Sequence, residues 1–337
     1  MLDLLRAVCS VLQVRKRSDA MRFRPAVFRS GPNLFRRSCR TIPFSSLVAL
    51  MSSSAENNAA YVPPEVWKYE SSAGSKMTMN RPTAGSRFEK ELPVGRHPIQ
   101  LYSIGSPNGQ KVTILLEELL AAGHSNCEYD AWIIKIFESD QFGSGFVDLN
   151  PNSKIPAMRI KNEDGNKPLD LFESGSMMLH LAEKCKAFIP DDTEKRAATL
   201  NWLFWQMGSA PYLGGGFGHF YTYADEKQKY PIDRFTMETK RQLHVLDIHL
   251  KTNKYMVGDV YTIADMAIFP WYGRVVQGEV YPNADIFLNV KEEYPNVIRW
   301  ANELSERPAV QRGLRVNSPW MEPDGIEERH AASDLDV

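Results

Sequence analysis

The chain has 337 residues, enough for two domains of ordinary size, and its 43% hydrophobic and 24% charged residues are typical of a soluble globular protein. Its net charge of −1 hides an asymmetry, since residues 1–50 carry +8 and the remainder therefore carries −9. The acidic remainder argues against nucleic acid as a partner, and no apolar run approaches the ~18 residues of a membrane span. The four cysteines show no CxxC or metal-ligand spacing, which predicts a reducing compartment and no metal site. They are Cys9, Cys39, Cys127 and Cys185.

The composition of the first 60 residues indicates a leader segment. Residues 1–50 are rich in Arg and Ser, poor in acidic residues, and begin with apolar residues at roughly helical spacing. This composition is typical of an organelle transit peptide and favours a mitochondrial over a plastid address. If synthesis starts instead at Met51, the protein would be cytoplasmic. Residues 51–60 have the composition of a disordered linker.

An α/β domain is predicted at residues 98–187, after an irregular arm at 61–97 that is interrupted by Pro, Gly and Ser. Its pattern gives strand, helix, strand, then two strands and a helix, the order of a thioredoxin-like domain with a mixed four-stranded sheet. The helix after the first strand carries apolar residues at helical spacing and is expected to end near Gly123. The predicted strands are 99–103, 129–134, 156–160 and 169–172.

An all-α domain is predicted at residues 195–315, because only helical periodicity appears there, at 196–207, 231–250 and from Thr262 onward. The glycine run at 214–216 is interpreted as a bend between helices. Thr262 and Asp265 form a capping box, which we interpret as structural rather than catalytic. Residues 316–337 are predicted to be a polar tail.

Two segments of the α/β domain form a candidate binding site. Pro156 begins a strand, and a cis Ile155–Pro156 bond would turn the peptide groups of Ile155 outward, where a peptide ligand could pair with them. Further along, Ser174 is a predicted helix N-cap, whose free N–H groups suit a carboxylate, while Glu173 suits an ammonium group. A strand edge for a peptide beside a pocket for an amino-acid end predicts a glutathione site.

Longer motifs add a resemblance to a known family. Over residues 61–335 the chain resembles the nu-class glutathione transferases, the YghU-type disulfide-bond oxidoreductases. The arm with Asn80-Arg81-Pro82 and the glycine-rich stretch are particular to that class. The other matching segments are 95–103, 107–113, 150–157, 172–176, 201–205, 234–238, 262–266 and 328–334.

The resemblance implies a set of glutathione-binding positions. Ile155 would pair with the cysteinyl unit, Glu173 and Ser174 would hold the γ-glutamyl end, and Gln141 would reach polar atoms of the peptide. Arg234 would bind the carboxylate of a second glutathione from the helical domain. The full set is Asn80, Ser106, Pro107, Asn108, Gln141, Lys154, Ile155, Glu173, Ser174 and Arg234.

The candidate catalytic residues are Ser106 and Asn108. Their turn occupies the place where a thioredoxin has Cys-Pro-X-Cys, so the working thiol must come with glutathione. A hydroxyl and an amide at a helix start can lower the pKa of a bound thiol. The alternative is that both residues only cap and turn the chain. Tyr102, Cys127 and Cys185 are interpreted as packed residues.

Two positions depart from the family pattern. A glutamine is expected at Met207, with Gln206 one position earlier, and a threonine is expected at Ser106. The resemblance implies a glutathione transferase architecture, a homodimer and a glutathione-dependent disulfide reductase with some transferase activity. The alternatives are conventional conjugation of glutathione to electrophiles and a non-catalytic binding protein. No metal, nucleic acid or membrane partner is expected.

Overall fold

The computed structural model describes residues 61–69, 81–162 and 166–336. The predicted leader and linker at 1–60 and the predicted site residue Asn80 therefore lie outside the described residues. Residues 61–67 are exposed and contain no helix or strand. The fold below is that of the chain from Lys68 onward, which clusters as a separate compact unit. Within it, residues 81–97 of the arm are irregular apart from an isolated bridge between Phe88 and Gly143.

A four-stranded mixed sheet forms the α/β domain, in the order β2-β1-β3-β4. β1 is parallel to β2 and antiparallel to β3, and β4 is antiparallel to β3. The predicted strands are confirmed, although β3 begins one residue late because Pro156 has no N–H to give to a ladder. The strands are β1 Ile99–Ser103, β2 Tyr129–Ile133, β3 Ala157–Ile160 and β4 Leu169–Phe172.

Alternation along β1 divides the interior into two cores. Leu101 joins the large core shared with the helical domain, whereas Tyr102 joins a smaller cluster with Phe146 on the other side of the sheet. The Tyr102 hydroxyl donates to the carbonyl of Pro93 at 2.7 Å, so Tyr102 is a packed residue as predicted. The helices of this domain are α1 Pro107–Ala121, α2 Ser144–Leu149 and α3 Ser174–Cys185, with 3₁₀ turns at Ser125–Cys127, Ile136–Glu138 and Asp140–Phe142.

The helical domain follows a short connector. The predicted capping box is present at Thr262, whose hydroxyl accepts from Ala264 N at 3.2 Å while Asp265 accepts from Thr262 N at 3.1 Å. No helix in the described part of the chain is long and apolar enough to cross a membrane. The helices are α4 Thr193–Pro211, α5 Lys229–Leu250, α6 Ile263–Ile268, α7 Arg274–Val276, α8 Ala284–Phe287, α9 Val290–Glu293, α10 Pro295–Ser305 and α11 Pro308–Arg315, and a 3₁₀ turn at Ala332–Leu335 follows.

The glycine run does not form the predicted bend. α4 continues directly into a π-helix at Tyr212–Tyr223, and a second π-helical turn, Phe269–Gly273, joins α6 to α7. The glycines let large rings approach the backbone, because a Cβ on Gly216 would overlap the ring of Phe235. The prediction was wrong because glycine here serves close packing rather than a turn. The chain turns later, between the π-helix and α5.

Ion pairs join the two domains at the second half of α1. Arg307 donates two hydrogen bonds to the buried carboxylate of Glu118, at 2.6 and 2.8 Å. The neighbouring Glu117 lies 3.0 Å from Arg312 and 2.9 Å from Arg329, a fully buried arginine of the C-terminal segment. The segment predicted as a polar tail is therefore packed against the α/β domain.

Candidate functional site

The main cavity of the α/β domain has a volume of about 540 Å³ and opens beside the start of α1. The starts of α1 and α3, the turn before β3 and the 3₁₀ turns after β2 all contribute to its wall. This position follows from the fold, because free N–H groups collect where helices begin. The lining residues are Asn108, Ile136, Phe137, Gln141, Asn150, Asn152, Ser153, Lys154, Ile155, Pro156, Glu173, Ser174 and Tyr223.

The turn before β3 presents Ile155 to this cavity. The Ile155–Pro156 bond is cis, as predicted. Asn150 holds the turn, since its amide donates to the Lys154 carbonyl at 2.6 Å and its side-chain oxygen accepts from Asn152 N at 2.9 Å. These bonds fix the main chain on which a peptide ligand could pair.

The start of α3 differs in detail from the prediction. Glu173, not Ser174, is the N-cap residue, and it has a left-handed φ of 69° with no capping bond from its side chain. Its carboxylate is therefore not used by the helix, and it lines the cavity. Ser174 is the first helical residue, and its hydroxyl accepts from Lys111 Nζ at 3.5 Å. Both side chains remain placed to meet the two charges of an amino-acid end.

At the start of α1, Ser106 and Asn108 have different tasks. Ser106 is the N-cap, and its hydroxyl accepts from Gly109 N at 3.5 Å. Asn108 lines the cavity, and its Oδ1 accepts from the indole Nε1 of Trp271 at 2.9 Å. Because the oxygen is engaged, the NH₂ group of Asn108 is the part left to donate to a ligand.

Gln141 is buried in the wall at only 7% exposure, yet its Oε1 has no hydrogen-bond partner among the described residues. Buried polar atoms are nearly always hydrogen-bonded, so an orphan acceptor in a cavity wall is suited to a donor from a ligand. A peptide N–H would supply that donor. Gln141 thus fits the predicted peptide-binding role.

A second cavity of about 280 Å³ adjoins the first and shares Asn108, Glu173 and Ser174 with it. Lys111 on its wall is almost completely buried, and its Nζ donates to Gln206 Oε1 at 2.7 Å. Burial lowers the pKa of Lys111 to about 7, and the nearby Glu173 carboxylate opposes this effect. The other lining residues are Met207, Ala210, Pro211, Gly214, Gly215 and Trp271.

The second cavity shows whether Gln206 replaces the contact expected at Met207. Met207 lies in its wall, next to the start of α3, whereas Gln206 is completely buried and turned toward Lys111. Gln206 therefore does not take over the cavity contact expected of a glutamine at Met207. It instead provides the acceptor for a buried lysine.

The structure brings together most, but not all, of the predicted site. Ser106 and Pro107 belong to the helix start beside the cavity but do not line it, and Arg234 is exposed on α5 and lines neither cavity. The predicted role of Arg234 therefore stays a prediction. The predicted residues that line the main cavity are Asn108, Gln141, Lys154, Ile155, Glu173 and Ser174.

Sequence reasoning missed three contributors from outside the predicted motifs. Trp271 orients Asn108 from the helical domain, and Phe137 and Tyr223 form an apolar side of the main cavity. Among the described residues, no group of three or more metal-binding side chains is placed to hold a metal ion. A tryptophan following a capping box was a weak signal, because aromatic residues at helical spacing are usually core.

Comparison with known proteins agrees with this architecture. Residues 203–308 match the family described as glutathione S-transferase, C-terminal domain. The disulfide-bond oxidoreductase YghU of Escherichia coli is 57% identical over 281 residues, which cover 82% of this chain and 96% of the relative. The chain belongs to the glutathione transferase family.

Solved transferase structures are similar in fold. The glutathione transferase YghU of Streptococcus pneumoniae, complexed with glutathione, is 52% identical with a TM-score of 0.74. The match covers 78% of the present chain and 100% of the Streptococcus chain. A glutathione transferase from Burkholderia graminis with two glutathione molecules bound per subunit is 39% identical with a TM-score of 0.59, covering 67% of this chain and 90% of its own.

Proposed function

We propose that this transferase binds glutathione in the main cavity and uses it to reduce disulfide bonds. The observation that carries the proposal is the convergence of peptide-binding groups at a helix start whose turn, Ser106 to Gly109, contains no cysteine. The similarity to a disulfide-bond oxidoreductase over nearly its whole length supports the reaction type. The similarity to glutathione complexes supports the substrate.

Each part of glutathione has a complementary group in the cavity. The carboxylate of Glu173 would pair with the γ-glutamyl ammonium, and the N–H groups at the start of α3 with its carboxylate. The main chain of Ile155 and the orphan oxygen of Gln141 would pair with the peptide groups. This orientation directs the cysteinyl sulfur toward the start of α1.

At that point Asn108 can activate the thiol. Its NH₂ group is available because Trp271 occupies its oxygen, and the positive end of α1 adds to its effect. A hydrogen bond and a helix dipole both favour the thiolate, the form that attacks sulfur. Ser106 supports this geometry by capping the helix, so we assign it a positioning role.

The reaction balances with two glutathione molecules. The thiolate of the first attacks a disulfide, forms a mixed disulfide and releases one thiol of the substrate. A second glutathione then attacks the mixed disulfide, which releases the other thiol and leaves glutathione disulfide. We propose Arg234 as a contact of the second molecule, as in the sequence prediction. The exposed position of Arg234 on α5 leaves its guanidinium available for a carboxylate.

Conjugation of glutathione to electrophiles is the second candidate. It is favoured by the apolar side of the cavity, where Phe137 is 80% exposed and Tyr223 is 55% exposed. These rings would suit an apolar substrate of either reaction. Parallel assays with bis(2-hydroxyethyl) disulfide and with 1-chloro-2,4-dinitrobenzene distinguish the two, and we expect the higher kcat/KM with the disulfide.

The decisive experiment measures glutathione disulfide formed from bis(2-hydroxyethyl) disulfide. Glu173→Gln should weaken glutathione binding and Asn108→Ala should lower kcat, while the exposed loop variant Glu226→Gln serves as the control. A variant with Cys127→Ala and Cys185→Ala together should keep its activity. If that variant folds and binds glutathione but reduces no disulfide, a protein thiol does the chemistry and the proposal fails.

We also propose a homodimer, because the family typically dimerises, and an organelle address for residues 1–50. Light scattering coupled to size-exclusion chromatography gives the oligomeric state, and a monomer at micromolar concentration would contradict the first proposal. For the second, residues 1–50 fused to a fluorescent protein should accumulate in mitochondria. A diffuse cytosolic signal would indicate that the leader does not act as a transit peptide.

A further inference from the structure

Two thiols of the α/β domain are in contact, far from each other in sequence. Cys127 ends the 3₁₀ turn before β2, and Cys185 is the last residue of α3. Their Sγ atoms lie 3.2 Å apart, although 58 positions separate the two residues along the chain. No sequence pattern pairs the two cysteines, because they show neither CxxC spacing nor a shared element.

This pair lies away from the glutathione cavity. Cys185 is at the opposite end of α3 from Ser174, and eleven helical steps correspond to roughly 16 Å along the axis. Neither cysteine lines the main or the second cavity. The pair is therefore separate from the thiol chemistry of the proposed reaction.

We propose that Cys127 and Cys185 form a redox modification site that glutathione disulfide oxidises to an intramolecular disulfide. A disulfide needs its sulfurs at about 2.05 Å, so the two atoms must close by roughly 1.2 Å, a movement that small side-chain rotations can supply. This oxidation would be a second reaction of the protein with glutathione disulfide. It does not depend on whether the protein reduces any other disulfide.

The surroundings of the two thiols fix the order of the steps. Cys127 is buried, and its pKa is raised to about 12 by burial and by the hydrogen bond with Cys185. Cys185 is partly exposed and is flanked by the exposed Lys184 and Lys186. These lysines attract glutathione disulfide, which carries net negative charge. The neighbouring Glu183 is already paired with Arg196.

Cys185 therefore attacks first. Its thiolate forms a bond to one sulfur of glutathione disulfide, the S–S bond of that molecule breaks, and the released glutathione thiolate takes up the proton that Cys185 lost. Cys127 then gives up its proton and attacks Sγ of Cys185, which expels the second glutathione as a thiol. In total, two protein thiols are oxidised and one glutathione disulfide is reduced to two glutathione molecules.

The test is to incubate the full chain with glutathione disulfide, block free thiols with N-ethylmaleimide in denaturant so that the buried Cys127 is also reached, and map the peptides by mass spectrometry. The wild type should give a cross-linked peptide pair containing Cys127 and Cys185, with the loss of two hydrogen atoms. Cys127→Ala should instead trap glutathione on Cys185, and Cys185→Ala should leave Cys127 labelled by the maleimide.

The wild-type measurement decides the proposal even if a variant folds poorly. Recovery of both wild-type thiols as maleimide adducts, or of a stable glutathione adduct on Cys185 with no cross-link, would overturn it. Glutathione attached to Cys127 in the Cys185→Ala variant would overturn the order of the steps. None of these outcomes depends on disulfide reductase activity, so the two proposals can fail separately.

Discussion

Trp271 shows how one side chain of the helical domain can set the chemistry of the other domain. Its indole N–H occupies Asn108 Oδ1 and so decides which end of the amide faces the cavity. Without that bond, the amide could turn its oxygen toward a bound thiolate, and the two negatively charged atoms would repel each other. The orientation of Asn108 is therefore a property of the domain interface and not of the turn that carries it.

We predict that Trp271→Phe lowers kcat/KM for glutathione about fivefold, which corresponds to the loss of one hydrogen bond of about 1 kcal/mol. The ultraviolet absorbance of the bound thiolate should titrate at higher pH than in the wild type. Trp320→Phe is the matched control, because Trp320 is 65% exposed. Identical thiolate titrations in the wild type and in Trp271→Phe would show that the indole does not orient Asn108.

Lys111 is a buried cation whose effect depends on pH. Its pKa in the folded chain is about 7, below the unfolded value of 10.5. Between these values the unfolded chain binds a proton that the folded chain has released, so the free energy of unfolding rises with pH. Below pH 7 both states are protonated, and the cost of the buried charge is then fully present.

In a Lys111→Met variant this pH dependence should be missing. The difference in unfolding free energy between wild type and variant should change by about 1.7 kcal/mol from pH 7 to pH 8.5, because the slope is half of about 1.4 kcal/mol per pH unit at the pKa and approaches the full value above it. Urea denaturation at the two pH values measures it. The exposed lysine variant Lys291→Met should follow the wild type, and parallel behaviour of Lys111→Met as well would contradict a lowered pKa.

Most single residues of the site could be predicted because they belong to contiguous motifs. Ile155 with Pro156, and Glu173 with Ser174, are each read from a strand or helix boundary, which leaves a local signature. Lys111 and Trp271 could not be predicted, since each acts on a residue more than sixty positions away. Such pairs follow from the packing of the two domains, which no local pattern encodes.

Among the elements, the π-helix is the one for which the sequence pattern led to a wrong prediction. Glycine usually marks a turn or a loop, but residues 214–216 lie within a continuous helical segment. The strands were predicted almost to the residue, because a period of two bounded by proline and polar turns has few other solutions. A π-helix has no comparable periodicity over twelve residues.

Two neighbouring glycines of the π-helix allow a matched test. Gly216→Ala should destabilise the protein by about 1–3 kcal/mol, because the new Cβ overlaps the Phe235 ring. Gly215→Ala, where a Cβ meets no atom within 4 Å, should be neutral or stabilise by up to about 1 kcal/mol. Thermal unfolding of both variants measures the contrast. Equal effects would mean that the helix is not packed through Gly216.

The contact between α1 and the start of α11 should be a main determinant of domain association. Arg307→Ala leaves the carboxylate of Glu118 buried without its partner, and we expect a loss of about 3 kcal/mol. This is the lower end for a buried pair, because the Arg307 side chain is 34% exposed. Arg241→Ala breaks a pair with Glu238 in which the arginine is 57% exposed, and it should cost less than about 1 kcal/mol. Equal losses in urea denaturation would contradict this ranking.

For the whole molecule, the two domains share one hydrophobic core, and this explains why the site draws on both. Composition and periodicity were sufficient to predict an α/β domain followed by a helical one. They could not indicate that the C-terminal segment returns to the first domain, because a polar sequence gives no sign of a partner more than 180 positions away. Asn317, Ser318 and Arg329 are nevertheless completely or almost completely buried.

The return of the C-terminal segment has a consequence for biosynthesis. β2 is an edge strand, and its Ala131 exchanges two backbone hydrogen bonds with Arg329, at 2.8 and 3.2 Å. About 200 residues must be translated between them, which takes about 10 to 40 s at ordinary ribosomal rates. During that interval the nascent α/β domain presents an unpaired strand that other chains could join. The emerging protein should therefore depend on chaperones until its last residues leave the ribosome.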